Sequence, residues 1–144
     1  MVSEEKVRAV ATAFADALDR NDFRGAIAML APTCRYDRTA ASLSSEGVLR
    51  GPAAIVESYR WHDARAQKLF DRVEYFSVVE RVDGTTAVIR FSDLLEKTGR
   101  RMTYSCRQRV TVNEALLIDA IVQEDIPEET TALRRFLERV GVVL

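Results

Sequence analysis

Near residue 70 the spacing of the apolar side chains changes, and this change constrains the fold more than any other feature of the chain. Before it they recur every three or four residues; from Val73 onward they alternate with polar ones. The first period marks amphipathic helices and the second marks strands with one buried face. Helices followed by strands, with no strand–helix–strand repeat, predict an α+β fold rather than a parallel α/β one. The 144 residues suit one domain over 1–144 that buries its own core.

The helical half divides at local signals. Val7, Val10, Ala11, Phe14 and Leu18 form an apolar stripe behind Ser3 as N-cap, which predicts a helix from about Glu4 to Asp19. Phe23, Ile27 and Leu30 predict a short second helix that Pro32 stops. Cys34 to Asp37 reads as a short strand, and Arg38 to Leu49, small and polar without a period, as a long loop. Gly51 and Pro52 then start a third helix with a stripe of Ile55, Tyr59, Ala66 and Leu69. In the second half, Asp83-Gly84, Thr98-Gly99 and Asn113-Glu114 are turn signals that separate four antiparallel strands. Pro127, Glu128 and Glu129 open a last helix, with Leu133, Phe136, Leu137 and Val140 on its apolar face and Gly141 as its stop. Three helices covering one face of a curved antiparallel sheet, a four-strand meander plus one short strand, make a cone with an internal cavity.

Charge and composition remove several functional classes. A net charge of −1 argues against general nucleic-acid binding, and no apolar run is long enough to span a bilayer. The N-terminal segment carries Glu4, Glu5, Lys6 and Arg8 and has neither signal nor anchor character, so a cytoplasmic location is expected. Cys34 and Cys106 read as reduced thiols, and there is no metal spacing, phosphate loop or nucleophile elbow; no cofactor and no metal is expected.

The segments VRAVATAFADALDRNDFRGAIAMLAPTCRYD and LRGPAAIVESY resemble the opening of the nuclear-transport-factor-2-like superfamily, in its SnoaL-like branch. That resemblance implies the same cone fold. The superfamily includes ketosteroid isomerases, polyketide cyclases, dehydratases, epoxide hydrolases and proteins without catalytic role, so two classes stay open: a cofactor-free acid/base enzyme acting on a hydrophobic carbonyl-bearing or polyketide-like molecule, and a noncatalytic ligand-binding or association module. The resemblance also implies that Asp37, at the end of CRYD, holds the position of the isomerase general base. Phe14 stands where those enzymes carry a tyrosine donor, and Gln108 falls near their second oxyanion-hole acid. Members commonly pair through the outer sheet face, so a homodimer is expected, with Arg90, Arg107, Arg109, Thr103, Ser105 and Thr111 making a polar, salt-sensitive interface.

Candidate site residues are polar side chains that periodicity places toward the interior. His62, the only histidine, and Asp63 flank the stripe of the third helix, while Trp61 points away. An imidazole there could exchange protons near pH 7 or be a hydrogen-bonded boundary residue. Asp93 is the one charge on the strand face of Ala87, Ile89, Phe91 and Leu95, and Gln108 interrupts the face of Met102, Tyr104, Cys106, Val110 and Val112. A buried Asp requires a partner, for which His62 is the candidate; otherwise Asp93 would sit in water at the open end of the cone. The expected mechanism has Asp37 removing a proton while His62, held by Asp93, donates one. Phe14, Leu18, Tyr59, Phe91 and Tyr104 are expected to line the pocket and to favour a small apolar or aromatic ligand, with Asp63 and Gln108 as polar contacts.

Overall fold

A computed structural model of the chain describes residues 1–41 and 47–144. Helix α1 (Glu4–Asp19) begins where expected, with the Ser3 side chain accepting from the Lys6 backbone N–H. Helix α2 (Phe23–Ala28) is capped by Asp22 and ends earlier than its apolar spacing suggested. Leu30 belongs instead to strand β1 (Leu30–Asp37), which also holds Pro32, next to a register irregularity between Leu30 and Arg35 where a missing N–H breaks no ladder. The expected loop contains a further short strand, β2 (Val48–Arg50), paired antiparallel with the end of β1. Residues 42–46 of that loop lie outside the described residues.

Gly51, at φ 87°, turns the chain from β2 into helix α3 (Pro52–Leu69). The meander follows as β3 (Arg72–Asp83), β4 (Thr86–Lys97), β5 (Arg100–Val112) and β6 (Ile118–Asp125), and helix α4 (Pro127–Val140) ends at Gly141 in the left-handed region. The six strands form one curved sheet in the order β2-β1-β6-β5-β4-β3. Every pair is antiparallel except β1 with β6. That parallel pair joins the first strand to the last, so the two halves of the chain share one core.

Two apolar clusters hold the layers together. Phe14, Ile55, Ile89, Val110, Ile118 and Ile121 belong to the larger one, which seats α1, α2 and α3 on the concave face. Phe70, Leu95, Leu133, Phe136 and Leu137 form the smaller one and seat α4 against the far end of the sheet. The last residue pair between β5 and β6 is Cys106 with Asp125; beyond it the Ser105 backbone N–H donates to Glu129 of α4 at 2.8 Å. Helix α4 thus satisfies a strand donor that would otherwise be orphaned.

The outer face alternates as expected, but it is not a bare basic patch. Arg107 pairs with Glu80 at 2.6 Å and Arg109 pairs with Glu124. Phe76 and Val78 of β3 lie exposed on the same face, so its free character is more apolar than the arginine spacing implied. Among the described residues no helix is long and apolar enough to cross a membrane.

Candidate functional site

Between the two clusters lies a cavity of about 290 Å³. Its wall is built from the alternation of the central strands: Phe91 and Asp93 of β4 and Tyr104, Cys106 and Gln108 of β5 all point to the concave side. Leu18 closes it from α1, Tyr59 and Ala66 from α3, and Leu133 and Leu137 from α4. Such a volume suits a ligand of one or two rings.

A hydrogen-bonded network of four side chains forms one part of the wall. Tyr59 Oη donates to Gln108 Oε1 at 2.8 Å. Gln108 Nε2 donates to Tyr36 Oη at 3.0 Å and to Gln123 Oε1 at 2.9 Å, and Tyr36 Oη donates to the same Gln123 oxygen at 3.1 Å. Gln123 passes the chain on to Asp125 at 3.3 Å. The rings of Tyr36 and Tyr59 stack with centroids 5.5 Å apart, so the two hydroxyls are positioned by packing as well as by the amides. Burial pushes both phenols far above their ordinary range, and they remain neutral.

The opposite part of the wall is acidic. Asp93 lies between Tyr75 of β3 and Tyr104 of β5, its direct cross-strand neighbours. Tyr75 Oη donates to Asp63 at 2.7 Å, and Ser77 Oγ donates to Asp19 at 2.6 Å. Asp93 itself has no hydrogen-bond or ion-pair partner among the described residues. Protein encloses its carboxylate, and the remaining opening is toward the cavity; this burial, reinforced by the charge of Asp19, raises its pKa from 3.8 to about 7. Cys106, half-buried on the same sheet face, is pushed up to about 12 by desolvation and stays a thiol.

His62 stands at the rim, with Arg38 buried beside it. Arg38 Nη1 donates to Ser58 Oγ at 2.6 Å, and Nη2 meets His62 Nε2 at 3.3 Å. A guanidinium has only donors, so Nε2 is the acceptor and the ring hydrogen sits on Nδ1. His62 is exposed and its ring edge meets Trp61 at 5.1 Å. The expected pairing of His62 with Asp93 is not what shifts Asp93; burial and Asp19 do.

Of the side chains singled out from the sequence, Leu18, Tyr59, His62, Asp63, Phe91, Asp93, Tyr104 and Gln108 line this cavity. Asp37 and Phe14 do not. The Asp37 carboxylate accepts from the Thr39 backbone at 3.0 Å and from its hydroxyl at 2.7 Å, with Arg35 3.8 Å away. These contacts hold its pKa below the ordinary value, the reverse of what a general base near neutral pH requires. Asp37 caps the turn after β1, and its expected convergence with His62 on one cavity is not found. Phe14 is fully buried behind Tyr59, edge to face at 6.1 Å, and supports the wall without forming it. The cavity also takes in Tyr36, Asp19, Tyr75, Gln123 and Asp125, which the sequence patterns do not single out; for Gln123 and Asp125, alternation with Ile121 is the signal that points to them.

No family model matches the sequence, and no curated protein does. Solved structures do match. An LEH-like epoxide hydrolase from M. tuberculosis is 19% identical, with TM-score 0.63 and 92% of each chain covered. A ketosteroid isomerase-like protein from Kribbella flavida is 20% identical, with TM-score 0.58 over 83% of this chain and 76% of that one. TerC, solved with polyporic acid, is 12% identical, with TM-score 0.68 over 92% and 98%. The chain therefore has the nuclear-transport-factor-2-like fold, and at these identities the likeness extends to the fold alone.

Proposed function

We propose that this chain binds a small, largely apolar organic molecule in the cavity and exchanges a proton with it through Asp93, as a cofactor-free isomerase, cyclase or dehydratase would. The observation that supports this reading is an unpartnered carboxylate opening into an apolar cavity with a pKa near 7. An acid or base is most effective when its pKa lies near the working pH, because both protonation states are then populated. The neutral network of Tyr36, Tyr59, Gln108 and Gln123 would orient the ligand. Asp37 has no part in this step. Solved proteins of the same fold include an epoxide hydrolase and one crystallised with polyporic acid, which is consistent with small-molecule chemistry.

A second reading, a noncatalytic binding protein, is favoured by one feature: among the described residues no second acid or base touches Asp93. A thermal-shift screen of aromatic and polyketide-like molecules, followed by product analysis on each hit, separates the two. Catalysis predicts that Asp93→Asn lowers turnover by about a hundredfold or more, while Asp37→Asn stays within about twofold. Unchanged turnover in folded Asp93→Asn would overturn the catalytic reading, and binding with no product from any hit would establish the second.

A further inference from the structure

We infer that the ligand carries a protonated amine on a body of one or two aromatic rings, because the polar wall of the cavity presents acceptors and Asp93 faces it unpartnered between two tyrosine rings. This rests on the reading that the cavity binds a small molecule, and it replaces the carbonyl head group that the resemblance implied.

The hydrogen-bond inventory is one-sided. Gln108 uses both amide hydrogens within the network, on Tyr36 and Gln123, and both tyrosine hydroxyl hydrogens point at amide oxygens. Gln123 directs its amide to Asp125. The Tyr75 hydroxyl is turned toward Asp63, and the Tyr104 hydroxyl lies on the same wall. What these groups leave to a ligand is lone pairs. A carbonyl oxygen, which needs donors, finds those of Tyr36, Tyr59, Tyr75 and Gln108 used; an ammonium, which has only donors, finds acceptors.

The charges facing Asp93 agree. Asp19 of α1 and Asp63 of α3 lie on the same wall, and β6 contributes Asp125. From β3 and β5 come the neutral Tyr75, Tyr104 and Cys106, and from α4 only Leu133 and Leu137. The cations lining the cavity, Arg38 and Arg65, stack over Tyr36 and Trp61 at 5.7 and 5.3 Å, and Arg38 also bonds Ser58 and His62. Among the described residues no three His, Cys, Asp or Glu side chains come together as a metal site, so an organic ammonium is the cation these carboxylates suit. Flanking aromatic faces add cation–π attraction to the ion pair.

An ammonium binds the ionised form of Asp93, whereas an acceptor oxygen binds the protonated form, so pH separates them. Calorimetric titration with 2-(1-naphthyl)ethylamine, 1-acetylnaphthalene and 1-ethylnaphthalene, which share one ring system, provides the comparison. With Asp93 titrating near pH 7, amine affinity is expected to rise by about tenfold or more from pH 5.5 to 7.5, while the ketone weakens severalfold and the hydrocarbon stays level. Asp93→Asn should weaken the amine by at least about tenfold, flatten its pH profile and leave the hydrocarbon unchanged. A ketone that binds wild type more tightly than the amine at pH 7.5, or an amine affinity independent of pH, overturns this inference and leaves the ligand cavity standing. No binding by any of the three overturns both. The wild-type pH profile decides the matter even if the variant fails to fold.

Discussion

Asp93→Asn should stabilise the free protein, and by an amount that depends on pH. In the folded chain Asp93 titrates near 7 against an ordinary value of 3.8, because burial and Asp19 both disfavour its charge. The folded state therefore binds a proton that the unfolded state has already released between these two values. Stability is at its full level below about pH 4, falls as pH rises toward 7, and stays low above it. A shift of about three pK units corresponds to roughly 4 kcal/mol. The amide has nearly the shape of the carboxyl group but no charge to desolvate, so it is exempt from this loss. Urea denaturation of both proteins at pH 4, 6 and 8 measures the difference, and the titrations of all other groups largely cancel in it. The expected gap is small at pH 4 and approaches about 4 kcal/mol in favour of Asp93→Asn at pH 8. A gap that does not grow with pH, or a variant less stable than wild type at pH 8, would show that the Asp93 carboxylate is not desolvated as described.

Phe14→Ala should destabilise the fold by about 3–5 kcal/mol, since the ring is fully buried in the larger cluster; a loss below about 1 kcal/mol in urea denaturation would contradict that placement. The outer sheet face, with Phe76 51% and Val78 56% exposed beside internally paired arginines, is expected to form a homodimer held by apolar contact and little affected by moderate salt. Light scattering at micromolar concentration should give twice the chain mass for wild type and the monomer mass for Phe76→Glu, and a wild-type monomer would end that expectation.

Much of the fold is legible in the sequence because the rules that set it are short in range. Ser3 caps α1 through a residue three positions on, Asp83-Gly84 closes a hairpin between adjoining strands, and Gly141 ends α4 with its own left-handed backbone. Alternation alone also puts Asp93, Tyr104 and Gln108 on the inner sheet face, where they are found. The short strand β2 escapes such reasoning because three residues are too few to show a period. Leu30 departs from its expected helix because one apolar residue fits both the last turn of a helix and the first position of a strand.

Apart from β2 and the first residues of β1, the sequence by itself determined which residues form helices and strands and which face of each is apolar, since propensity, capping and periodicity act over a few positions. Only the tertiary structure decided which polar side chains meet. Tyr36 finds Gln123 across 87 residues because β1 pairs in parallel with β6, and no local signal announces that pairing. Asp37, one residue farther along the same strand, points the other way and is captured by Thr39. Asp93 acquires its near-neutral pKa from α1 and from the enclosing walls rather than from its neighbours in sequence. Burial and charge act through space, so the chemistry of the cavity came into being when the sheet curved around it.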